Sequence, residues 1–148
     1  VSQSSPGLKV KKLHPDAKLP RRSSEGASGF DVCACIDGRV TVLIGRQPKL
    51  IGTGIAVEVP FGYDIQVRPR SGLSSRGVGV TFGTIDSDYR GEVKVTMYVF
   101  GEGSSFEINH GDRIAQLVIT KLADVSVEEV SGLTSTERDT GGHGSTGR

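Results

Sequence analysis

Apolar residues along this chain recur at every second position in short runs, and seldom at the three-and-four spacing of a buried helical stripe. The stretch EVKVTMYV from Glu92 is the clearest case, with Val93, Val95, Met97 and Val99 on one side of an extended strand. Runs rich in Val, Ile, Phe and Tyr occupy 8–12, 30–36, 39–44, 53–59, 63–68, 78–82, 92–100, 105–109, 113–121 and 125–130. About ten short strands at this spacing predict an all-β sandwich or barrel. The segment 70–76 carries Leu and Ser without alternation and predicts a single helical turn. Elsewhere Gly and Pro leave little room for helices, since only 112–131 runs longer than about ten residues without either.

Composition sharpens this picture. Gly supplies 21 of 148 residues, roughly twice the usual share, so many tight turns or close backbone approaches are expected. Residues are 35% hydrophobic and 24% charged, and 18 Lys+Arg against 17 Asp+Glu leave a net charge of +1. That is the profile of one soluble globular domain. No run approaches the roughly 18 apolar residues of a membrane span, and no charged-then-apolar leader opens the chain, so neither a membrane protein nor a secretory precursor is expected. Near-neutral charge predicts no bulk nucleic-acid binding. Residues 1–22 are a local exception, with six Lys or Arg against one Asp, and read as a mobile basic arm. Residues 1–130 are expected to form the β domain with this short basic segment. Residues 131–148 hold one large aliphatic residue, Leu133, among many Gly, Ser and Thr, and form a flexible arm that cannot build a core. Cys33 and Cys35 lie at i and i+2 in a strand pattern and read as reduced core thiols, with no zinc cage around them. His14 and His110 read as surface or loop residues.

Four clusters could carry chemistry. In the tail, Arg138, Gly141, Gly142, Gly144, Ser145, Thr146 and Gly147 combine a forked cation with flexible backbone amides and hydroxyls, a set that suits a polyphosphate. No GxxxxGK[ST] pattern occurs, which rules out a P-loop hydrolase on pattern. At 68–75, a strand ends in Pro69 and the chain turns into Arg70, Ser71 and Gly72, an anion seat or a plain surface turn. The segment 83–91 lies between two strands, 78–82 and 92–100, as a hairpin would; a carboxylate there, Asp86 or Asp88, could hold a water, and Tyr89 could stack on a sugar. At 111–120, Ile114, Leu117 and Ile119 read as core and Asp112 and Arg113 as a pair. Gln116, polar in an otherwise apolar strand, is the informative residue there, because a buried amide needs partners.

Taken in order, SGFDVCA at 28–34, PRSGLS at 69–74, GTIDSDYRG at 83–91, GDRIAQL at 111–117 and RDTGGHGSTG at 138–147 resemble the five motifs of the homotrimeric dUTPases, the deoxyuridine triphosphate nucleotidohydrolases. The resemblance spans most of the chain. It implies a β jelly-roll protomer with an extended C-terminal arm, three of which form a homotrimer with three shared sites. It implies hydrolysis of dUTP to dUMP and pyrophosphate by water attack at the α-phosphorus, limiting uracil incorporation into DNA and supplying dUMP. In the matched positions Asp86 would orient and deprotonate the water, and magnesium on the phosphates would be reached by Asp31 through water. Arg70, Ser71, Gly72 and Gln116 would seat the phosphates, and Arg138, Gly144, Ser145 and Thr146 would close over them. Backbone groups around Gly83, Thr84 and Ile85 would read the uracil edge, Tyr89 would pack on the deoxyribose, and Lys94 matches a substrate-contact position. Where the family commonly has a Phe over the base, this chain has His143, whose imidazole can still stack and would make closure depend on pH. Asp139 replaces a frequent Gly beside Arg138. Two rival readings are a dCTP deaminase, which needs a Glu base in the 83–91 region, and a jelly-roll protein that binds nucleotide without turning it over. A nucleotide substrate and reduced thiols imply an intracellular setting, cytoplasm or nucleus.

Overall fold

The computed structural model describes residues 7–103 and 105–147. Nearly all of its regular structure is strand. The elements are β1 (Lys9–Lys12), β2 (Phe30–Cys33), β3 (Val42–Ile44), β4 (Lys49–Glu58), β5 (Tyr63–Arg68), α1 (Ser71–Ser74), β6 (Val78–Val80), β7 (Gly83–Ile85), β8 (Glu92–Val99), β9 (Phe106–Ile108) and β10 (Arg113–Lys121). One four-stranded sheet has the order β1-β4-β8-β6, a second has β2-β10-β5-β7, and β3 pairs with β9 alone. All pairings are antiparallel. Buried residues of both large sheets belong to one apolar core, as in a jelly roll.

Strand β8 explains why register is firm. Its burial alternates strictly, with Val93, Val95, Met97 and Val99 buried and Lys94 exposed. Each such side chain contributes about 1.5–3 kcal/mol on burial, so a one-residue slip, which would turn all four to water, is excluded.

Several expectations are corrected. The basic N-terminal stretch is not a free arm within the described residues: Lys9–Lys12 pairs with β4, and the backbone of Arg21 bonds that of Asp31 in both directions. Residues 1–6 of that stretch lie outside the described residues. The 39–44 run shortens to Val42–Ile44 because a 3-10 turn, Asp37–Arg39, precedes it with Gly38 at φ 67°. The 78–82 and 92–100 runs do pair, as β6 with β8, but they are not a simple hairpin. Between them the chain crosses to the second sheet, where β7 pairs with β5. The 125–130 run forms no strand and is exposed, with Val125 at 81% and Val127 at 103% of full accessibility. Among the described residues no strand pairs with it. The two cysteines are free, but β2 ends at Cys33, and both thiols are half-buried rather than core. Burial pushes both thiols up from their ordinary value.

Candidate functional site

Strand β10 carries a bulge: Arg113 pairs with Cys33, but Ala115 already pairs with Val32. The extra residue, Ile114, is fully buried, as is Ala115. Simple alternation would put Arg113 and Gln116 on opposite faces; the bulge turns both outward beside Asp31. Gln116 stands in register with Asp31 on one side and Arg68 on the other, a polar row across three strands.

Around that row the sequence clusters at 28–34, 69–74 and 111–117 converge. Arg70 Nε donates to Asp31 Oδ1 at 3.2 Å, and its Nη1 donates to the Arg113 carbonyl at 3.3 Å. Arg113 Nη1 lies 3.6 Å from Asp31 Oδ2. The expected Asp112–Arg113 pair does not form, and Asp112 instead accepts from the Asn109 backbone N–H at 2.8 Å. Arg113 was therefore missed as a site residue, and the bulge that aims it has no signature in the sequence pattern. Two guanidinium groups against one carboxylate leave net positive charge, as a phosphate seat needs. The Asp31 side chain is only 14% exposed, and Arg70 keeps free N–H groups beyond the two it uses.

Pro69 ends β5 and α1 starts at once, as the lack of alternation predicts. The backbone amides of Ser71 and Gly72 open this turn, where a helix cannot supply acceptors for them. Gln116 Nε2 donates to the Pro69 carbonyl at 3.0 Å, which ties this turn to β10. Gly29 is a second residue sequence reasoning missed. A Cβ there would collide with the Gln116 side chain, so only glycine lets β2 approach the amide so closely.

A second group lies at the opposite edge of the same sheet. Gly83, Thr84, Ile85, Tyr89 and Lys94 line a cleft of about 310 Å³ between β7 and β8. Gly83 rests on Val67, Ile85 is buried and Thr84 is exposed. Asp86 follows directly, exposed, and its carboxylate makes no hydrogen bond or ion pair within the described residues. The Tyr89 hydroxyl donates to the Glu92 carbonyl at 3.0 Å, and its ring leaves no space for a Cβ on Gly91.

Register gives the separation of the two groups. Gln116 pairs with Arg68, whereas Thr84 pairs with Gln66, two strands and one same-face row away. At strand spacings of about 4.8 Å and rises of about 3.3 Å per residue, that is roughly 12 Å, and more at Asp86, since β7 runs away from Arg68. Reacting atoms must come within about 3–3.5 Å. Within one protomer the sheet register thus holds the backbones of Asp86 and Gln116 well apart.

The arm is a third group, apart from both. Residues 131–140 and 143–147 are exposed. Arg138 Nε donates to the Gly141 carbonyl at 2.8 Å, and Asp139 and His143 sit at positive φ, 45° and 50°. His143, Gly144, Ser145 and Thr146 form turns that touch neither other group in the hydrogen-bond network. The histidines outside the motifs lie in loops, as expected: His14 faces Asp37 at 3.0 Å, and His110 Nδ1 accepts from the Ile36 backbone N–H at 3.0 Å. Among the described residues no three His, Cys, Asp or Glu side chains cluster as a metal cage. No helix among them is long and apolar enough to cross a membrane.

A family model described as dUTPase matches residues 15–147. The deoxyuridine 5'-triphosphate nucleotidohydrolase of Nautilia profundicola is 46% identical over 144 residues, covering 95% of this chain and 99% of the relative. The same enzyme from Chlamydia trachomatis is 51% identical over 140 residues, covering 92% and 95%. Among solved structures, the dUTPase of Staphylococcus bacteriophage 80alpha with dUPNHPP superposes with a TM-score of 0.84 at 27% identity, covering 96% of this chain and 99% of that one.

Proposed function

The chain belongs to the dUTPase family, and from that premise we propose how its residues perform the family's reaction. It hydrolyses dUTP to dUMP and pyrophosphate: a water oxygen bonds to the α-phosphorus, and the α–β bridging oxygen leaves with the pyrophosphate. Asp86, exposed and unpaired among the described residues, orients that water and takes its proton. Arg70, Ser71, Gly72 and Gln116 seat the phosphates. The Gln116 amide keeps one N–H and its oxygen free after bonding Pro69, which suits an α-phosphate oxygen and the water. Ser71 faces charge that develops on the leaving oxygen.

Backbone groups of Gly83, Thr84 and Ile85 read the uracil edge. Cytosine offers a donor where an acceptor is required, and the thymine methyl meets the wall of the cleft. Tyr89, packed on the deoxyribose, leaves no room for a 2′-hydroxyl, and Lys94 contacts substrate from the same cleft.

The observation that carries the composite form of this reading is the sheet register, which holds the phosphate seat and the Asp86 loop at opposite edges. A second copy supplies the missing half, and the arm of a third, through Arg138, His143, Gly144, Ser145 and Thr146, closes over the nucleotide. The exposed Val125, Val127 and Leu133 give such an assembly apolar surface to bury. The protein is thus read as a homotrimer of a β domain, residues 1–130, and a closing arm, residues 131–148.

Asp31 is one carboxylate already shared by two arginines, a donor set that fits magnesium carried on phosphates and reached through water, not a protein-held cage. When bound, the ion neutralises phosphate charge and fixes the chain of phosphates for in-line attack. A nucleotide substrate and two free thiols support an intracellular setting, cytoplasm or nucleus.

The experiment is pyrophosphate release from dUTP, dTTP, dCTP and UTP side by side, with and without magnesium, for the parent and Asp86→Asn. Release from dUTP alone, reduced about 10²- to 10⁴-fold in the variant, is expected for loss of a general base. Ammonia from dCTP, or tight binding of dUTP without turnover, would replace this reading with a deaminase or a regulatory binder.

A further inference from the structure

The loop bearing Asp86 and Tyr89 is held by a side chain to which neither pattern nor motif gave a task. We propose that Arg90 is a positioning residue for the reaction, clamping this loop to the first sheet through Glu58; its role in turnover rests on the reading of dUTP hydrolysis given above.

Arg90 Nη1 donates to the Ser87 carbonyl at 2.6 Å and to the Tyr89 carbonyl at 3.0 Å. Its Nη2 meets Glu58 Oε1 at 2.8 Å, and the other carboxylate oxygen, Oε2, takes Lys9 Nζ at 3.2 Å. Lys9 and Glu58 are register partners in β1 and β4. One guanidinium therefore spans from two loop carbonyls to a paired strand end, its planar fork presenting N–H donors to both sides at once. The two cations hold the Glu58 carboxyl below its ordinary value, the Lys9 hydrogen bond contributing most. The anchor stays ionised at neutral pH.

The loop's two functional residues depend on this clamp unequally. Tyr89 has its own attachments, through its hydroxyl to Glu92 and its ring over Gly91. Among the described residues the Asp86 carboxylate has none, and Ser87, next to it, is held through its carbonyl by Arg90. Loss of the clamp displaces the group that handles water more than the group that packs on the sugar. The consequence is a fall in kcat with little change in KM.

The full-length chain and its Arg90→Ala, Arg90→Lys and Glu58→Ala variants would be compared for kcat, KM, melting and amide hydrogen exchange at residues 86–90. Displacements near 1 Å cost on the order of 10²-fold, so Arg90→Ala should lose about 10- to 100-fold in kcat. KM should stay within about threefold, because the sugar contact is kept. Arg90→Lys should recover part of the loss, and Glu58→Ala should fall in the same direction by less. Melting should barely move, since exposed ion pairs add little stability. Exchange at residues 87–89 should quicken in Arg90→Ala while β8 keeps its protection. A kcat within about twofold of the parent would overturn the proposal. So would exchange that quickens equally throughout β8, which marks a general loss of structure. If the parent itself fails to hydrolyse dUTP, the reaction reading and the role in turnover fall together; exchange at residues 87–89 then decides the clamp by itself, and unchanged exchange overturns it.

Discussion

An alanine at position 29 would drive a methyl group into the Gln116 side chain, and the structure sets the size of the penalty. The new Cβ would lie 2.9 Å from Gln116 Cβ and 3.0 Å from Cδ, with the amide oxygen closer still, whereas ordinary contact begins at 3.4 Å. At least half an ångström must be found. Gln116 Cβ is fixed by β10, which pairs with both β2 and β5, so the amide has to swing away. Its bond to the Pro69 carbonyl is then lost, worth about 0.5–1.5 kcal/mol, and the residual overpacking costs about 1–3 kcal/mol. At about 2–4 °C per kcal/mol for a chain of this size, melting should fall by roughly 3–18 °C. The phosphate seat moves with the amide, and kcat/KM for dUTP should drop about 10- to 100-fold. Calorimetry and pyrophosphate release at low substrate measure both. Adding Gln116→Ala to Gly29→Ala removes the clashing amide oxygen and Cδ but leaves the Cβ contact, so melting should recover in part while activity stays low. A single variant with kcat/KM within about twofold of the parent and melting within about 1 °C would refute the close-approach reasoning.

Two further outcomes follow from titratable groups. Burial raises both thiols above the ordinary value of 9.0, so iodoacetamide should label Cys33 and Cys35 slowly at neutral pH and faster only above that value; labelling as fast as that of a free thiol peptide at pH 7 would contradict it. Glu58 is depressed below 4.5, so its contribution is present above that pH and lost as pH falls through the depressed value. The melting difference between the parent and Glu58→Gln should therefore be small but present at neutral pH and vanish in acid, and a difference that grows in acid would contradict the assignment.

Strands whose partners lie in the same chain and whose alternation is strict were legible from sequence. The boundaries expected for β5 and β10 match, and β8 differs only at its last residue. The helical turn α1 was legible because Leu73 is buried among serines without a period-2 neighbour. What stayed hidden depends on relations between strands. The three residues of β7 are too few to alternate, and the bulge at Ile114, which turns Arg113 and Gln116 to one face, comes from pairing with β2. Gly29 looked like any turn glycine, since the side chain it accommodates is 87 positions away in sequence. The 125–130 run alternates like a strand yet pairs with none among the described residues, and a pattern cannot name its partner.

Mixing two inactive variants asks whether any protomer completes its own site. Asp86→Asn spares the phosphate seat, and Gln116→Ala spares the Asp86 loop. Each would be prepared alone, then the two unfolded together, refolded at equal concentration and assayed for pyrophosphate release from dUTP. If sites are shared between copies of a symmetric trimer, about a quarter of them pair an intact seat with an intact loop, and the mixture regains about a quarter of parental activity. A mixture no more active than the two variants measured separately, with assembly shown to have occurred, would mean that each protomer works alone.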